Sequence, residues 1–99
     1  MPTVDLNRLE AQTGGDSVLQ REVLGLFLEA LPDQVRRLQT GSQEERRALA
    51  HQILGTARAL GADEVARQAA AVETGTGETA ALIQALEDAG GFVRQWLAR

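Results

Sequence analysis

The chain contains a single histidine, His51, within the segment AHQILGTARALGA that spans residues 50–62. A histidine side chain in water has a pKa of about 6.5, so a neutral ring nitrogen is available as a nucleophile at pH 7. One turn later the chain has Gly55, where alanine would stabilise a helix by about 1 kcal/mol. The histidine and the unfavourable glycine beside it are therefore the first candidates for a functional site.

The side of the helix on which His51 lies follows from the apolar residues around it. Four of them recur at the spacing of one helix face and are predicted to pack into a core: Leu49, Ile53, Ala57 and Leu60. At 3.6 residues per turn, His51 lies about 200° from Leu49, so we expect its side chain in solvent. Gly55 shares the His51 face, as do Arg47 and Arg58. We interpret the glycine as room for an approaching partner; the alternative is tight packing between helices.

The composition favours one helical domain over residues 1–99. Hydrophobic residues make up 43% of the chain, and the net charge is −4. An acidic chain without a basic stripe is not expected to bind nucleic acid. No signal segment and no apolar run of about 20 residues are present, so we expect a cytoplasmic protein outside the membrane. The absence of cysteine excludes a cysteine-based zinc site.

Helix-favouring residues dominate the chain, and no alternating β-branched run predicts a strand. Capping residues and glycine stops predict helices at 5–12, 17–39, 43–60, 63–74 and 78–97. Because the connections are short, we expect an all-α, antiparallel four-helix bundle with the short first helix capping one end.

Two of the predicted helices contain residues that could interrupt them. Pro32 removes a backbone donor, so the second helix is expected to kink or restart there. The pair Gly90–Gly91 is expected to bend or break the last helix. The buried stripe of the second helix is predicted to be Leu19, Val23, Leu26, Phe27, Ala30 and Leu31, widened by Leu24 and Leu28 and continued by Val35 and Leu38.

The segment around His51 resembles the motif of the histidine-containing phosphotransfer (HPt) domains of two-component phosphorelays. His51 stands at the phosphorylated position of that motif and Gly55 at its glycine. The other matching positions are Ile53, Thr56, Ala57, Leu60, Gly61 and Ala62. Upstream, GGDSVLQREVLGLFLEALP is similar to the second helix of the family, and Val72–Glu73 fits its fourth helix. The resemblance covers nearly the whole chain.

The resemblance implies that His51 relays a phosphoryl group between aspartates of receiver domains, in a hybrid histidine kinase and/or a response regulator. It implies no cofactor on this chain, because Mg²⁺ and most of the acidic groups belong to the partner receiver. The segment TGTGE lacks the lysine and the spacing of a nucleotide-binding loop, so no kinase activity is expected. We expect a monomer that acts as a phosphotransfer intermediate rather than as an autonomous catalyst.

One position departs from the motif: the family's lysine, directly before the glycine, is Leu54 here. Arg58, and after it Arg47, could supply the missing cation, since a guanidinium suits phosphate geometry. Alternatively, Leu54 is an exposed apolar contact for a partner, or phosphotransfer is weakened or lost. The predicted partner-binding residues are Arg47, Gln52, Leu54, Gly55 and Arg58.

Three other kinds of protein are alternatives to a phosphorelay domain. A helical module that binds a receiver or kinase domain but transfers no phosphate is the alternative that Leu54 supports. The dimerising histidine hairpin of sensor kinases usually has an acidic residue where this chain has Gln52. A metal enzyme is disfavoured, because one histidine and scattered carboxylates do not form a convincing site.

Overall fold

The computed structural model describes residues 4–99. This part of the chain forms five helices: α1 (Leu6–Thr13), α2 (Ser17–Thr40), α3 (Gln43–Leu60), α4 (Asp63–Thr74) and α5 (Thr79–Leu97). Residues 4–99 contain no strand. The all-α prediction is confirmed, and every predicted helix end lies within one residue of the observed one. None of the helices in this part of the chain is both long and apolar enough to cross a membrane.

Local side chains fix where the helices begin. The carboxylates of Asp5 and Asp16 accept hydrogen bonds from backbone amides in the first turns of α1 and α2. α3 begins with a capping box, in which the side chains of Ser42 and Glu45 each accept from the other's backbone amide. Three helices end at glycines in the left-handed conformation: Gly14, Gly61 and Gly75.

The four longer helices form the bundle. α2 packs on α3 and α5, and α4 packs on the same two helices. Helices that follow one another are joined by the short segments 41–42, 61–62 and 75–78, so neighbours run antiparallel. α1 covers the end where α2 begins and α3 ends. There the amide of Asp5 donates to the carbonyl of Gly61 at 2.8 Å, and Arg8 pairs with Asp63 at 2.6 Å.

The buried stripe of α2 differs from the predicted one. The prediction was wrong for Leu19, which is 39% exposed, for Leu26, which is 64% exposed, and for Ala30, which is also exposed. These three positions lie about 100° around the helix from the stripe that the neighbouring helices cover. The observed buried stripe is Leu24, Phe27, Leu31 and Leu38.

Neither Pro32 nor Gly90–Gly91 ends its helix, so the predicted restart and break are wrong. Pro32 removes a single hydrogen bond from a 24-residue helix, and buried leucines on both sides of it pack into one core. Gly90 is buried where α5 crosses α2. A Cβ at this position would lie 2.6 Å from Leu31 Cδ2, so the glycine permits close approach of the two helices.

Candidate functional site

His51 projects into solvent from the middle of α3. Its side chain is 73% exposed. The opposite face of the helix carries the apolar stripe, which is buried in the core: Leu49, Ile53, Ala57 and Leu60. With 3.6 residues per turn, burial of that stripe turns the imidazole away from the core.

The imidazole of His51 contacts a carboxylate from α4. His51 Nδ1 lies 2.7 Å from Glu73 Oε2, and the Glu73 side chain is 33% exposed. An ionised carboxylate only accepts hydrogen bonds, so Nδ1 is the donor in this contact. The neutral ring then has its unprotonated lone pair on Nε2. The arrangement leaves one ring nitrogen available as a nucleophile.

In the sequence, Glu73 stands out only within the match to the fourth helix, and its contact with His51 was not predicted. Helix periodicity within α3 cannot reveal it, because the carboxylate comes from another helix. A signal was present in the spacing, since both residues lie 11 positions from Ala62 in the turn between α3 and α4. Residues equally distant from the turn of an antiparallel helix pair lie at the same level.

Alanines on α4 bring that helix close to the histidine-bearing helix. Ala69 is fully buried, and Ala66 and Ala70 are partly buried against the core. Small side chains at a helix contact allow the two axes to approach. Glu73 can therefore reach His51 across the edge between α3 and α4.

Leu54 lies at this covered edge rather than on the exposed face. Its side chain is 8% exposed and belongs to the hydrophobic core. The alternative that Leu54 is an exposed apolar contact for a partner is therefore wrong. Leu54 follows His51 by three residues, so it lies about 60° around the helix from the imidazole, and the core covers it.

Gly55 is exposed and has free space above it. A Cβ built on this residue has no neighbour within 4 Å, so the alternative of tight helix packing is wrong. Gln52 and Thr56 are also exposed, and the Thr56 hydroxyl donates to the Gln52 carbonyl at 3.3 Å. The surface next to His51 is therefore accessible to a partner, with no side chain projecting from Gly55.

The two arginines that could offset phosphate charge differ in their surroundings. Arg58 is exposed, and the ion pairs between described residues do not include it. Arg47 extends towards the end of α4, where its Nη2 would lie 2.8 Å from a Cβ on Gly75. The carbonyl end of a helix carries partial negative charge, which favours a guanidinium there. Of the two, Arg58 has the freer side chain.

An apolar groove between α2 and α3 continues the exposed surface beyond Gly55. Its volume is about 290 Å³. Leu26, with 64% of its surface exposed, forms part of the groove wall, and Val18 is equally exposed on the same helix. The lining residues are Val23, Leu26, Phe27, Ala30, Gln34, Thr56 and Leu60. We call this feature the α2–α3 groove.

Among residues 4–99, no group of three or more histidine, cysteine, aspartate or glutamate side chains is placed to hold a metal ion. His51 and Glu73 therefore form a pair without further acidic or imidazole ligands. The chemistry available to this part of the chain is that of an exposed imidazole with a carboxylate behind it.

Comparison with known proteins identifies a family. The sequence model of the Hpt domain matches residues 22–99, which include His51, Gly55 and Glu73. No curated protein and no solved structure matches the chain significantly. The family match extends over most of α2 and all of α3, α4 and α5. The chain therefore belongs to the Hpt domain family, the histidine phosphotransfer domains of two-component phosphorelays.

Proposed function

We propose that this Hpt domain relays a phosphoryl group between receiver-domain aspartates through Nε2 of His51. The observation that supports this most is the contact of Nδ1 with Glu73, because it leaves Nε2 unprotonated on an exposed ring. Gly55 adds open surface beside the ring, across which a receiver can approach.

In the proposed reaction, the Nε2 lone pair of His51 attacks the phosphorus of an aspartyl phosphate. The Nε2–P bond forms while the O–P bond breaks, and the aspartate leaves as a carboxylate. The reverse reaction passes the phosphoryl group to another receiver. Phosphoryl transfer depends mainly on positioning and charge stabilisation, so a well-placed imidazole is sufficient on this side. The receiver would supply Mg²⁺ and the acidic residues around its aspartate.

The receiver is proposed to dock over the exposed face of α3 and the α2–α3 groove. Gln52 and Gly55 would lie beneath it, next to His51. Leu26 and Val18 would be covered, and burial of apolar surface contributes about 25 cal/mol per Å². An apolar groove with an exposed leucine in its wall suits a protein partner.

We infer that the domain acts as a monomer, because the helices of one chain bury a core to which all five contribute, and we assign the apolar side chains left exposed on α2 to the receiver. The proposal places it in the cytoplasm, as expected from the sequence. Its partners would be the receiver domains of a hybrid histidine kinase and/or a response regulator.

The test is incubation with phosphorylated receiver domains from the same genome. Wild-type protein should take up acid-labile, base-stable label, and His51→Gln should take up none. Circular dichroism of both proteins checks that the variant keeps its helices. If none of the receivers labels the wild type, the proposal is overturned. If His51→Gln still takes up label, the phosphorylated residue is not His51.

A binding module without phosphotransfer is the second candidate. It is favoured by Leu54, which stands where the family has a lysine and leaves no lysine next to the imidazole. Such a module would bind a receiver or kinase domain in a pull-down experiment yet remain unlabelled by phosphorylated receivers.

A further inference from the structure

Another cavity lies at the end of the bundle where α3 and α5 begin and α4 ends. Its volume is about 290 Å³, close to the lower limit of about 300 Å³ for small-molecule sites. We call it the end cavity. The proposed function makes no use of it. It is lined by Gln43, Arg46, Arg47, Val72, Gly75, Gly77 and Thr79.

The end cavity carries positive charge. Arg46 and Arg47 both line it, and the lining residues found among residues 4–99 include no aspartate or glutamate. The ion pairs within the same part of the chain involve neither arginine. The carboxylate of Glu45, on the same turn of α3, is engaged in the capping box with Ser42. Two guanidinium groups without a carboxylate partner therefore meet at one cavity.

Arg46 has a hydrogen-bond donor that the chain leaves unpaired. Its Nε is buried from solvent, and no acceptor within residues 4–99 contacts it. Its Nη2 lies 3.5 Å from the Gln39 carbonyl oxygen, which is at the limit for a hydrogen bond. Since buried donors in folded proteins are nearly always paired, this N–H is available for an acceptor from outside the chain. An oxyanion in the end cavity would be such an acceptor.

The loop between α4 and α5 leaves room for the guanidinium of Arg47. Gly75 has a φ of +81°, and a Cβ on it would lie 2.8 Å from Arg47 Nη2. The end of α4 does not need this guanidinium as a donor, because the carbonyls of Ala71 and Val72 already accept from the amides of residues 75–77. The donors of Arg47 therefore remain for a ligand.

The start of α5 adds partial positive charge to the end cavity. Thr79 is the first residue of this helix and lines the cavity, and the side chain of Glu78 does not cap the helix. The amides of a first helical turn have no acceptor within the helix and favour an anion. The Thr79 hydroxyl and the Gln43 amide are further, uncharged donors.

We propose that the end cavity binds a small soluble molecule that carries a phosphate monoester. A phosphate group presents several acceptor oxygens, and guanidinium groups match its geometry. Val72 provides an apolar wall against which the organic part of the ester can pack. The segment TGTGE at 74–78 lacks the lysine of a nucleotide-binding loop, and the cations come instead from α3. This inference goes beyond phosphotransfer, because His51 takes no part in it.

The experiment is a nuclear magnetic resonance titration of the nitrogen-15-labelled chain at constant ionic strength. The probes are glycerol 3-phosphate, inorganic phosphate and succinate, a dicarboxylate of similar charge. We expect glycerol 3-phosphate to cause saturable shifts of the Gly75 and Gly77 amides and of the Arg46 Nε–H. Inorganic phosphate should bind more weakly, because it has no organic part to contact the cavity wall, and succinate should bind most weakly.

Three substitutions locate the binding. Arg46→Gln should weaken binding of glycerol 3-phosphate about tenfold or more, as expected when a hydrogen bond between charged groups is lost. Arg47→Gln should weaken it by up to about fivefold, because this arginine is exposed. Arg94→Gln is the matched control and should bind as wild type does, since Arg94 is exposed on α5 and about 22 Å along the helix from Thr79. Circular dichroism checks that the variants keep their helices.

The outcomes that would overturn the proposal are distinct from a failure of phosphotransfer. If glycerol 3-phosphate causes no saturable shift in wild type, or if Arg46→Gln and Arg47→Gln bind it as tightly as wild type does, the end cavity is not its site. If succinate binds as tightly as glycerol 3-phosphate, the assignment to a phosphate monoester is wrong. Transfer through His51 is measured separately with receivers and does not enter these results.

Discussion

Gly90 of α5 lies directly against Leu31 of α2. A Cβ on Gly90 would be 2.6 Å from Leu31 Cδ2, well inside normal contact distance. Both residues are buried, so the leucine has little room to move away. The neighbouring Gly91 has no atom within 4 Å of its Cβ position. The two adjacent glycines therefore have different roles in the same helix.

This difference predicts opposite responses to alanine. Gly91→Ala should raise the free energy of unfolding by up to about 1 kcal/mol, because alanine is the better helix former. In Gly90→Ala the same gain is offset by displacement of Leu31, which costs about 1–3 kcal/mol in a packed core. Urea unfolding of the two variants should differ by at least about 1 kcal/mol. Equal stabilities would mean that α2 and α5 can move apart at no cost.

Gly90–Gly91 also marks the limit of what the sequence could predict about the fold. Helix ends were predicted to within one residue, because caps such as Ser42 and stops such as Gly61 act locally. The predicted break at Gly90–Gly91 was wrong, because the feature that requires a glycine at position 90 is Leu31 on another helix. The predicted burial of Leu26 was wrong for a related reason, since the positions of α3 and α5 decide which side of α2 is buried.

Gly55 should respond differently from Gly90, because its Cβ position is open to solvent. Gly55→Ala should raise the free energy of unfolding by up to about 1 kcal/mol. Gly55→Gln should keep the fold but slow phosphotransfer from a receiver, since the longer side chain occupies the surface beside His51. Thermal unfolding and transfer rates measured on the same samples test both statements. A marked loss of stability in Gly55→Ala would show that the glycine serves packing.

Burial of Leu54 changes what the family lysine is expected to do here. Leu54→Lys would lengthen the phosphohistidine lifetime if the ammonium reaches the edge near His51. It should also lower the free energy of unfolding by about 1–3 kcal/mol, because a buried leucine is lost and only the lysine stem can replace its contacts. Leu54→Met is the control, with a cost below about 1.5 kcal/mol and no added charge. Full stability of Leu54→Lys would indicate that this edge of α3 opens readily.

The capping box of α3 predicts a pH dependence of stability. The side-chain hydrogen bond with Ser42 lowers the pKa of Glu45 from 4.5, and the Ser42 amide and Arg37 act in the same direction. Because the folded pKa is depressed, the stabilisation is present above pH 4.5 and is lost as the pH falls through the folded pKa. Glu45→Gln should therefore lose less stability than wild type on acidification, as thermal unfolding at several pH values would show. Parallel curves would contradict the prediction.

The serine of the same capping box can be tested at neutral pH. Ser42→Ala leaves the amide of Glu45 without its side-chain acceptor, which costs about 0.5–2 kcal/mol at a helix N-terminus. Exposed Ser17, the first residue of α2, is a suitable control, since the described cap of that helix is Asp16. Ser17→Ala should change the free energy of unfolding by less than about 0.5 kcal/mol.

The candidate site was partly predictable from the sequence, for physical reasons that differ among its residues. The side of α3 on which His51 lies follows from helix geometry and the stripe around Leu49. The burial of Leu54 could not be predicted, because it depends on how closely the neighbouring helices approach α3. The contact with Glu73 depends on the register of two helices, which the turn at 61–62 sets only when both helices are known.

Arg58 and Arg47 should contribute unequally to the phosphorylated state of His51. Phosphorylation adds about −1.5 to −2 charges to a side chain, and a guanidinium on the same face favours that state. Arg58 is exposed, whereas Arg47 is drawn to the end of α4, so Arg58→Ala should have the larger effect. Exposed ion pairs contribute about 0.2–1 kcal/mol, which limits the change in the equilibrium between receiver and His51 to about fivefold.

The measurement is the fraction of label on His51 after equilibration with a phosphorylated receiver, for Arg58→Ala, Arg47→Ala and Arg94→Ala. Arg94 is the control, because it lies exposed on α5, which packs on α2 and α4, and its loss changes the net charge equally. The expected order of label lost is Arg58→Ala, then Arg47→Ala, with Arg94→Ala unchanged. Complete loss of label in Arg58→Ala would mean that the guanidinium takes part in the transfer itself. Equal loss in all three variants would mean that only the net charge of the protein matters.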